Sequence, residues 1–404
     1  MKARFKYRIY PTELQKNALS KLFGCARTVW NDALDFCIKS FKKGEKYCGE
    51  AELQKRFITQ AKKTENRRWL SEVSNITLQQ SIRDLGQAYQ NFFKSCKGQR
   101  KGKKIRLPRF KKRKSAQSAK FRIGGFKVHQ HNVYLAKIGK LKIVWSRPLP
   151  SEPSSVTIIK DSADRYFLSL VVEINTVKLP DHGNAVGIDL GIRDFATFSH
   201  GEKVKAPKPL KKHLEKLRSL QRKLSKKLVG SKRREVARIK VAKLHAKISD
   251  TRTDFLHKLS TKVIRENQTI ALEDLNVSGM VKNRKLSRAI SDLGWRSFRT
   301  MLEAKATMYG RDLRVINRWE PTSQKCCCCG EKGGKKELSV REWTCLFCGK
   351  EHDRDINASK NILKVAGGQS ETKNERRGRR KTTVKVAASC EALTPFKPVQ
   401  LSLF

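Results

Sequence analysis

Acidic residues are scarce in this 404-residue chain: 37 Asp and Glu stand against 90 Lys and Arg, leaving a net charge of +53. No ordinary metabolic enzyme needs that excess, and its self-repulsion works against a compact state, so a polyanion is expected to screen it. Long apolar runs are missing too. The longest, Phe167 to Val172 with Ser169 inside it, falls far short of the ~18 residues a membrane helix requires. The N-terminal MKARFKYRIYP has no apolar h-region, so no secretory leader is expected. Evenly scattered cysteine is also lacking. Six of the eleven crowd into residues 326–348, which reads as a metal site in a reducing cytosol rather than a disulfide framework. Apolar residues make up 38%, below the usual ~45–50% yet enough for folded cores. The length suggests two or three domains.

A membrane-surface protein concentrates its basic charge beside an anchor or on one amphipathic helix. Here it runs through almost the whole chain, which favours a nucleic acid. The densest run is KGQRKGKKIRLPRFKKRK at 97–114, with eleven Lys or Arg in eighteen residues and no acid. Gly98, Gly102 and Pro108 argue against a helix there.

Alternation of Phe5, Tyr7 and Ile9 with basic residues predicts a strand over 3–9, ending at Pro11. Residues 12–96 read as helical, with Leu14, Ala18, Leu22 and Cys25 spaced as one face and Leu78, Ile82, Leu85, Ala88 and Phe92 as another. Strands are expected at 120–123, 132–135, 141–144, 155–160 and 165–173, then a linker over 175–183. VGIDLGIRDFATFS predicts two strands and a tight turn. A basic helical pair spans 208–265, with Leu210, Leu214, Leu217, Leu224 and Leu228 on one side; it can equally bind phosphates or support a core. A buried strand at 268–273, a helix at 292–309, a strand at 313–317 and a helix at 356–366 follow. Residues 367–404 have no periodicity and read as a basic tail.

Cys326 and Cys329 form C-x2-C, as do Cys345 and Cys348, each pair followed by glycine and the two separated by fifteen residues. This is the spacing of a four-cysteine zinc ribbon, a closed and therefore structural site. Cys327 and Cys328 permit a register change, but only the outer pair keeps the spacing.

Three acids differ from ordinary surface carboxylates. In Val186-Gly187-Ile188-Asp189-Leu190-Gly191, parity puts the apolar residues on one face and Asp189 on the other, between glycines that allow close approach. In Thr269-Ile270-Ala271-Leu272-Glu273, Glu273 opposes Ile270 and Leu272 at the strand end. In HDRDINA, an acidic cluster that includes Asp353 and Asp355 opens a helix. Taken singly, each fits an N-cap or a salt bridge. Together they suit phosphodiester cleavage by two Mg²⁺ ions, which needs several carboxylates converging on ions ~3.5–4 Å apart.

The order GIDLGIRDFATFS, IALEDLNVSGM, C-x2-C…C-x2-C, HDRDINASKNIL closely resembles the TnpB (OrfB) family, which is encoded by insertion sequences and similar to type V CRISPR effectors. The resemblance covers nearly the whole chain. It implies an α/β plus all-β architecture: a RuvC-like RNase H fold (182–320 and 351–366) with an inserted zinc ribbon (321–350), preceded by a wedge β-barrel (1–11 and 97–178) with a helical recognition insert (12–96). It implies an Mg²⁺-dependent endonuclease of the bacterial cytoplasm. A guide RNA from the transposon end would direct it to double-stranded DNA beside a short transposon-adjacent motif, with no membrane or small-molecule partner. Matched residue by residue, Asp189, Glu273 and Asp355, not Asp353, are the three catalytic acids. Candidate nucleic-acid contacts are Lys101, Lys103, Lys104, Arg106, Arg109, Lys111, Lys112 and Arg113. Asn75, Gln79 and Gln80, near a helix start, suit base edges. These positions also fit solvated faces. A transposase performing strand transfer, or a regulator with structural acids, is the alternative reading.

Overall fold

The computed structural model describes residues 1–100, 102–113, 116–181, 183–337 and 339–367. Lys101 and the tail beyond Gly367 lie outside the described residues. Two compact units are present, dividing after Ile174.

The first unit contains β1 (Lys2–Ile9), α1 (Glu13–Lys42), α2 (Glu50–Gln54) and α3 (Asn75–Cys96). It continues with β2 (Gln117–Arg122), β3 (Phe126–Val128), β4 (Asn132–Leu135), β5 (Gly139–Val144), β6 (Ser155–Lys160) and β7 (Tyr166–Glu173). A reciprocal cap starts α1: the Gln15 N–H donates to the Thr12 hydroxyl, and the Thr12 N–H donates to the Gln15 side chain. The buried stripe of α1 begins at Leu19 and runs through Leu22, Ala26, Val29 and Ala33. Leu14, expected on that face, is 83% exposed. Steps of four residues drift ~40° each around a helix, so a row begun at Leu14 leaves the stripe.

All seven strands pair antiparallel in the order β2-β6-β7-β1-β5-β4-β3. The two edge strands, β2 and β3, are joined by residues 123–125 alone, so the sheet curls back toward itself. Tyr7, Ile9, Phe121 and Leu168 of the sheet share one core with Leu19, Leu22, Leu78 and Ile82 of the helices. Helices and strands here are one packed body.

The second unit begins with β8 (Ala185–Asp189), β9 (Ala196–Phe198) and β10 (Lys203–Val204), then α4 (Pro209–Lys212), α5 (Leu214–Ser225) and α6 (Lys232–Glu266). It continues with β11 (Thr269–Glu273), α7 (Val277–Met280), α8 (Ser287–Leu293), α9 (Trp295–Tyr309), β12 (Asp312–Ile316), β13 (Glu342–Thr344), β14 (Glu351–Asp353) and α10 (Arg354–Ala366). The main sheet has the order β10-β9-β8-β11-β12. β8, β11 and β12 run parallel, while β9 and β10 extend the sheet antiparallel.

The α5–α6 hairpin has a small core of its own from Leu217, Val241, Leu244 and Ile248. Leu228 lies past the end of α5 in the connecting turn and is 80% exposed, which corrects its expected place in the leucine row. Buried Asp292 ties this region together. It accepts the Leu210 and Lys211 backbone N–H groups at 3.1 Å each and pairs with Arg252 at 2.9 Å. Among the described residues, no helix is long and apolar enough to cross a membrane.

Candidate active site and metal centre

Side-chain parity decides where the acids point. Val186, Ile188, Ile270 and Leu272 belong to one core with Phe298 and Leu302 of α9. The intervening Ala271 packs instead with Ile316 and with Ile362 of α10. Successive strand residues face opposite ways, so Gly187, Asp189, Ala271 and Glu273 share the α10 side of the sheet. β8 and β11 are adjacent and parallel, with Ile188 opposite Leu272. Their C-terminal ends, and hence Asp189 and Glu273, are neighbours.

The third acid arrives on α10. A Cβ built on Gly187 would lie 2.0 Å from the Ser359 carbonyl oxygen and 2.9 Å from the Leu363 nitrogen. Only glycine lets the helix backbone sit that close to β8. Asp355 lies one turn before Ser359, above the end of that strand. Asp189, Glu273 and Asp355 together line a cavity of about 480 Å³, with Arg318, Trp319, Gln324, Arg341 and Arg354 among its other walls.

Burial, reinforced by Asp355 and Glu273, pushes the Asp189 carboxyl up to about 7. Burial, then Asp274, raises Glu273 as well. Asp355 faces Arg341 at 3.4 Å. Asp353 has another task. It caps α10, accepting the Asp355 and Ile356 N–H groups at 3.0 Å each, and pairs with Lys203 at 2.6 Å. Burial works against its charge, but Lys203 and the two N–H groups outweigh it and hold the carboxyl below the usual range. Asp274, beside Glu273, is likewise engaged, by Arg299 and Arg318.

The four cysteines Cys326, Cys329, Cys345 and Cys348 bring all their sulfur atoms within 4.8 Å of one another. Cys326 and Cys348 are 3.7 Å apart, and Cys329 and Cys345 are 3.6 Å apart. Those are the edges of a tetrahedron with Zn–S bonds of ~2.3 Å, so the donor set fits a zinc ion. Each knuckle closes with a glycine N–H on the first cysteine's carbonyl, Gly330 on Cys326 and Gly349 on Cys345. Both glycines have positive φ, +83° and +67°. Cys326, Cys328 and His352 form a second, smaller set of donor atoms, with His352 Nε2 3.0 Å from the Cys326 sulfur. Cys327 is buried, and that burial pushes its thiol up.

Sequence reasoning missed what joins the two sites. One face of α10 grips the first knuckle. Asn357 accepts the Cys327 N–H at 2.8 Å and donates to the Lys325 carbonyl at 2.7 Å. Asn361 donates to the Thr322 and Lys325 carbonyls at 2.8 Å each. Lys364 donates to the Cys327 carbonyl. The signal was available: Asn, Asn and Lys at i, i+4 and i+7 form one helical stripe.

The expected nucleic-acid contacts divide. Lys103, Lys104, Arg106, Arg109, Lys112 and Arg113 are exposed on an irregular segment. That segment is pinned to α1 by Trp30, which donates to the Arg109 carbonyl, and by Asn31, which bonds the Lys111 backbone twice. Lys111 lays its ammonium over the Trp30 ring at 3.7 Å. Asn75 and Gln79 are exposed, Asn75 accepting from Lys62. Gln80 turns inward and donates to Asp84 at 2.7 Å, which removes it from the set able to reach a base edge.

A "Putative RNA-guided DNA endonuclease" of Streptomyces pristinaespiralis is 46% identical over 90% of this chain and 89% of its own length. The chain belongs to the TnpB (OrfB) family. A second relative, the Escherichia coli (strain K12) protein named "Putative RNA-guided DNA endonuclease InsQ", is 31% identical over 89% of this chain and 91% of its own. The family model described as "Probable transposase" matches residues 169–284, a "Cas12f1-like, TNB domain" matches 295–362, and a "Helix-turn-helix domain" matches 1–46. That last segment is here a strand followed by one long helix. The fold is similar to that of Cas12f1 solved in complex with sgRNA and target DNA, with a TM-score of 0.54, 13% identity, and coverage of 90% of this chain and 98% of that one. The TnpB assignment thus rests on sequence across both units, and the mixed α/β fold agrees with it.

Proposed function

We propose that this chain is an RNA-guided DNA endonuclease that cuts the phosphodiester backbone with Asp189, Glu273 and Asp355. The observation that carries the reading is the convergence of three carboxylates, from two parallel strand ends and a helix start, in one cavity within a chain of net charge +53. Two relatives bear RNA-guided endonuclease names. The sheet order and the parallel β8–β11–β12 core support a RuvC-like RNase H fold for 182–320 and 351–366, interrupted by the cysteine ribbon at 321–350. The curled sheet of the first unit is read as the wedge barrel and α1–α3 as the recognition insert.

Two Mg²⁺ ions bound by the three carboxylates would supply the positive charge that activates water and stabilises the leaving oxygen. Asp189 feels both other acids, so the three carboxylates would hold the ions together. Arg341 and Arg354 line the same cavity and are placed to meet phosphate oxygens. The four cysteines would hold zinc as a closed, structural site. Sequence reading is left to guide–target pairing, with the protein holding the heteroduplex by its backbone and reading a short flanking motif. The exposed basic residues between 103 and 113 contact phosphates, and Asn75 and Gln79 are the remaining candidates for base edges. The guide is an RNA from the transposon end, and the setting is the bacterial cytoplasm.

The family model's transposase description favours a second reading, strand transfer by the same acids. One experiment separates them. The protein is purified from cells that also carry its native flanking DNA, and the bound RNA is sequenced. The RNA is then rewritten to match a chosen plasmid site. A cut that follows the rewritten RNA supports the endonuclease, whereas joining of DNA ends without RNA supports strand transfer.

A further inference from the structure

Trp319 is the only aromatic residue lining the acid-bearing cavity among the described residues, and its side chain is 83% exposed. An indole held in water exposes a large apolar face with nothing to cover it. It is not there through slackness of the chain. Asp274 N–H bonds the Ile316 carbonyl at 3.1 Å at the end of β12, and the Asp274 carboxylate pairs with Arg318. The Asn317 side chain accepts the Trp319 N–H at 3.2 Å, and the Asn317 carbonyl accepts the Glu320 N–H at 3.2 Å. On the far side, Asn361 of α10 holds the Thr322 carbonyl. The turn is therefore fixed from β11, from its own side chain and from α10. β11 and α10 are also the elements that carry Glu273 and Asp355.

We propose that Trp319 is a stacking platform for one base of a single-stranded DNA segment lying across the cavity. This rests on the DNA-cutting reading above and adds to it the side chain that would seat the opened strand. A base in a duplex has both faces covered by its neighbours, so an aromatic wall can engage only a strand that has been opened. The surroundings match that occupant. Arg318 precedes the indole, and Arg341 and Arg354 line the same cavity, offering cations for the backbone on either side of a stacked base. Stacking on an aromatic side chain is tolerant of base identity because every base has a π-face. Trp319 thus anchors the strand in register with the acids without reading its sequence.

The test uses RNA-loaded protein in Ca²⁺, with a mixed-sequence single-stranded DNA 12-mer, the same oligomer carrying abasic sites, and a matching RNA. Trp319→Phe and Trp319→Ala are compared with the parent. The expected results are indole quenching by the DNA 12-mer that is lost in both variants, and DNA binding about tenfold weaker in Trp319→Ala but largely retained in Trp319→Phe. The abasic oligomer should quench little. In Mg²⁺, Trp319→Ala should raise KM for an unpaired strand with kcat nearly kept. Equal binding and cutting by Trp319→Ala, equal quenching by the abasic oligomer, or quenching by RNA alone would each overturn the proposal. Binding and quenching are read without cleavage, so a protein that stacks DNA yet never cuts would count against the nuclease reading and not against the platform.

Discussion

The Asn357 side chain accepts the backbone N–H of Cys327 at 2.8 Å, so the helix that presents Asp355 is fastened directly to a cysteine knuckle. Asn357 is only 1% exposed, and its loss strands buried backbone groups. Asn357→Ala is expected to destabilise the protein by about 2 kcal/mol. It should also speed zinc release to a chromophoric chelator several-fold and lower cleavage. An unchanged release rate would show that the knuckle and helix are independent.

Gly187 tests the approach of α10 to the sheet. Adding one methyl there collides with the Ser359 carbonyl, and overpacking of this kind costs about 1–3 kcal/mol. Gly187→Ala should lose cleavage although all three acids remain. Gly49→Ala, at a glycine with nothing within 4 Å, is the matched control and should cut like the parent. Thermal unfolding alongside the assay distinguishes a shifted helix from a general loss of fold.

The raised Asp189 carboxyl predicts a pH signature. Its folded-state value is about 7 against an ordinary 3.8. The metal-free folded state therefore holds an extra proton between those values, and the stability this gives is lost as pH rises toward 7. Asp189→Asn should accordingly stabilise the metal-free protein at pH 8, by on the order of 2 kcal/mol, and do little at pH 4. In the parent, divalent-ion affinity should fall as pH drops below 7, because binding must displace that proton. Denaturant unfolding at the two pH values and a metal titration between pH 6 and pH 8 measure both effects. A stability gain equal at pH 4 and pH 8 would contradict the assignment.

Asp353 and Asp355 are separable by mutation. Asp355→Asn should abolish cutting and leave bound RNA and melting temperature close to those of the parent. Asp353→Asn loses the Lys203 pairing and weakens the α10 cap, for about 1 kcal/mol of stability, while retaining a measurable cleavage rate. The opposite pattern would reverse their roles.

Much of this was legible in the chain. Period-two alternation located β1, β8 and β11, and the paired C-x2-C-G units located the four-cysteine cluster, because both signals are local and rigidly spaced. Parity also put Asp189 and Glu273 on the side away from the apolar core. The short strands β3 and β10 went unseen, since three and two residues carry no period. Leu14 was misread because four-residue steps drift off the buried stripe, and Leu228 because it keeps the spacing past the end of α5, where nothing covers it. Gln80 looked like a surface amide until its partner Asp84 and its burial were known. The Asn357–Cys327 clamp is tertiary and joins residues thirty apart. Its Asn-Asn-Lys stripe was visible, but its target was not.

Cutting at this cavity requires that three acids from distant parts of the chain gather around divalent ions. Anomalous diffraction from crystals soaked in Mn²⁺ tests it most directly. Two manganese peaks are expected in the cavity, contacted by Asp189, Glu273 and Asp355 and lost in Asp189→Ala. Manganese that binds elsewhere and leaves this cavity without a peak would contradict it.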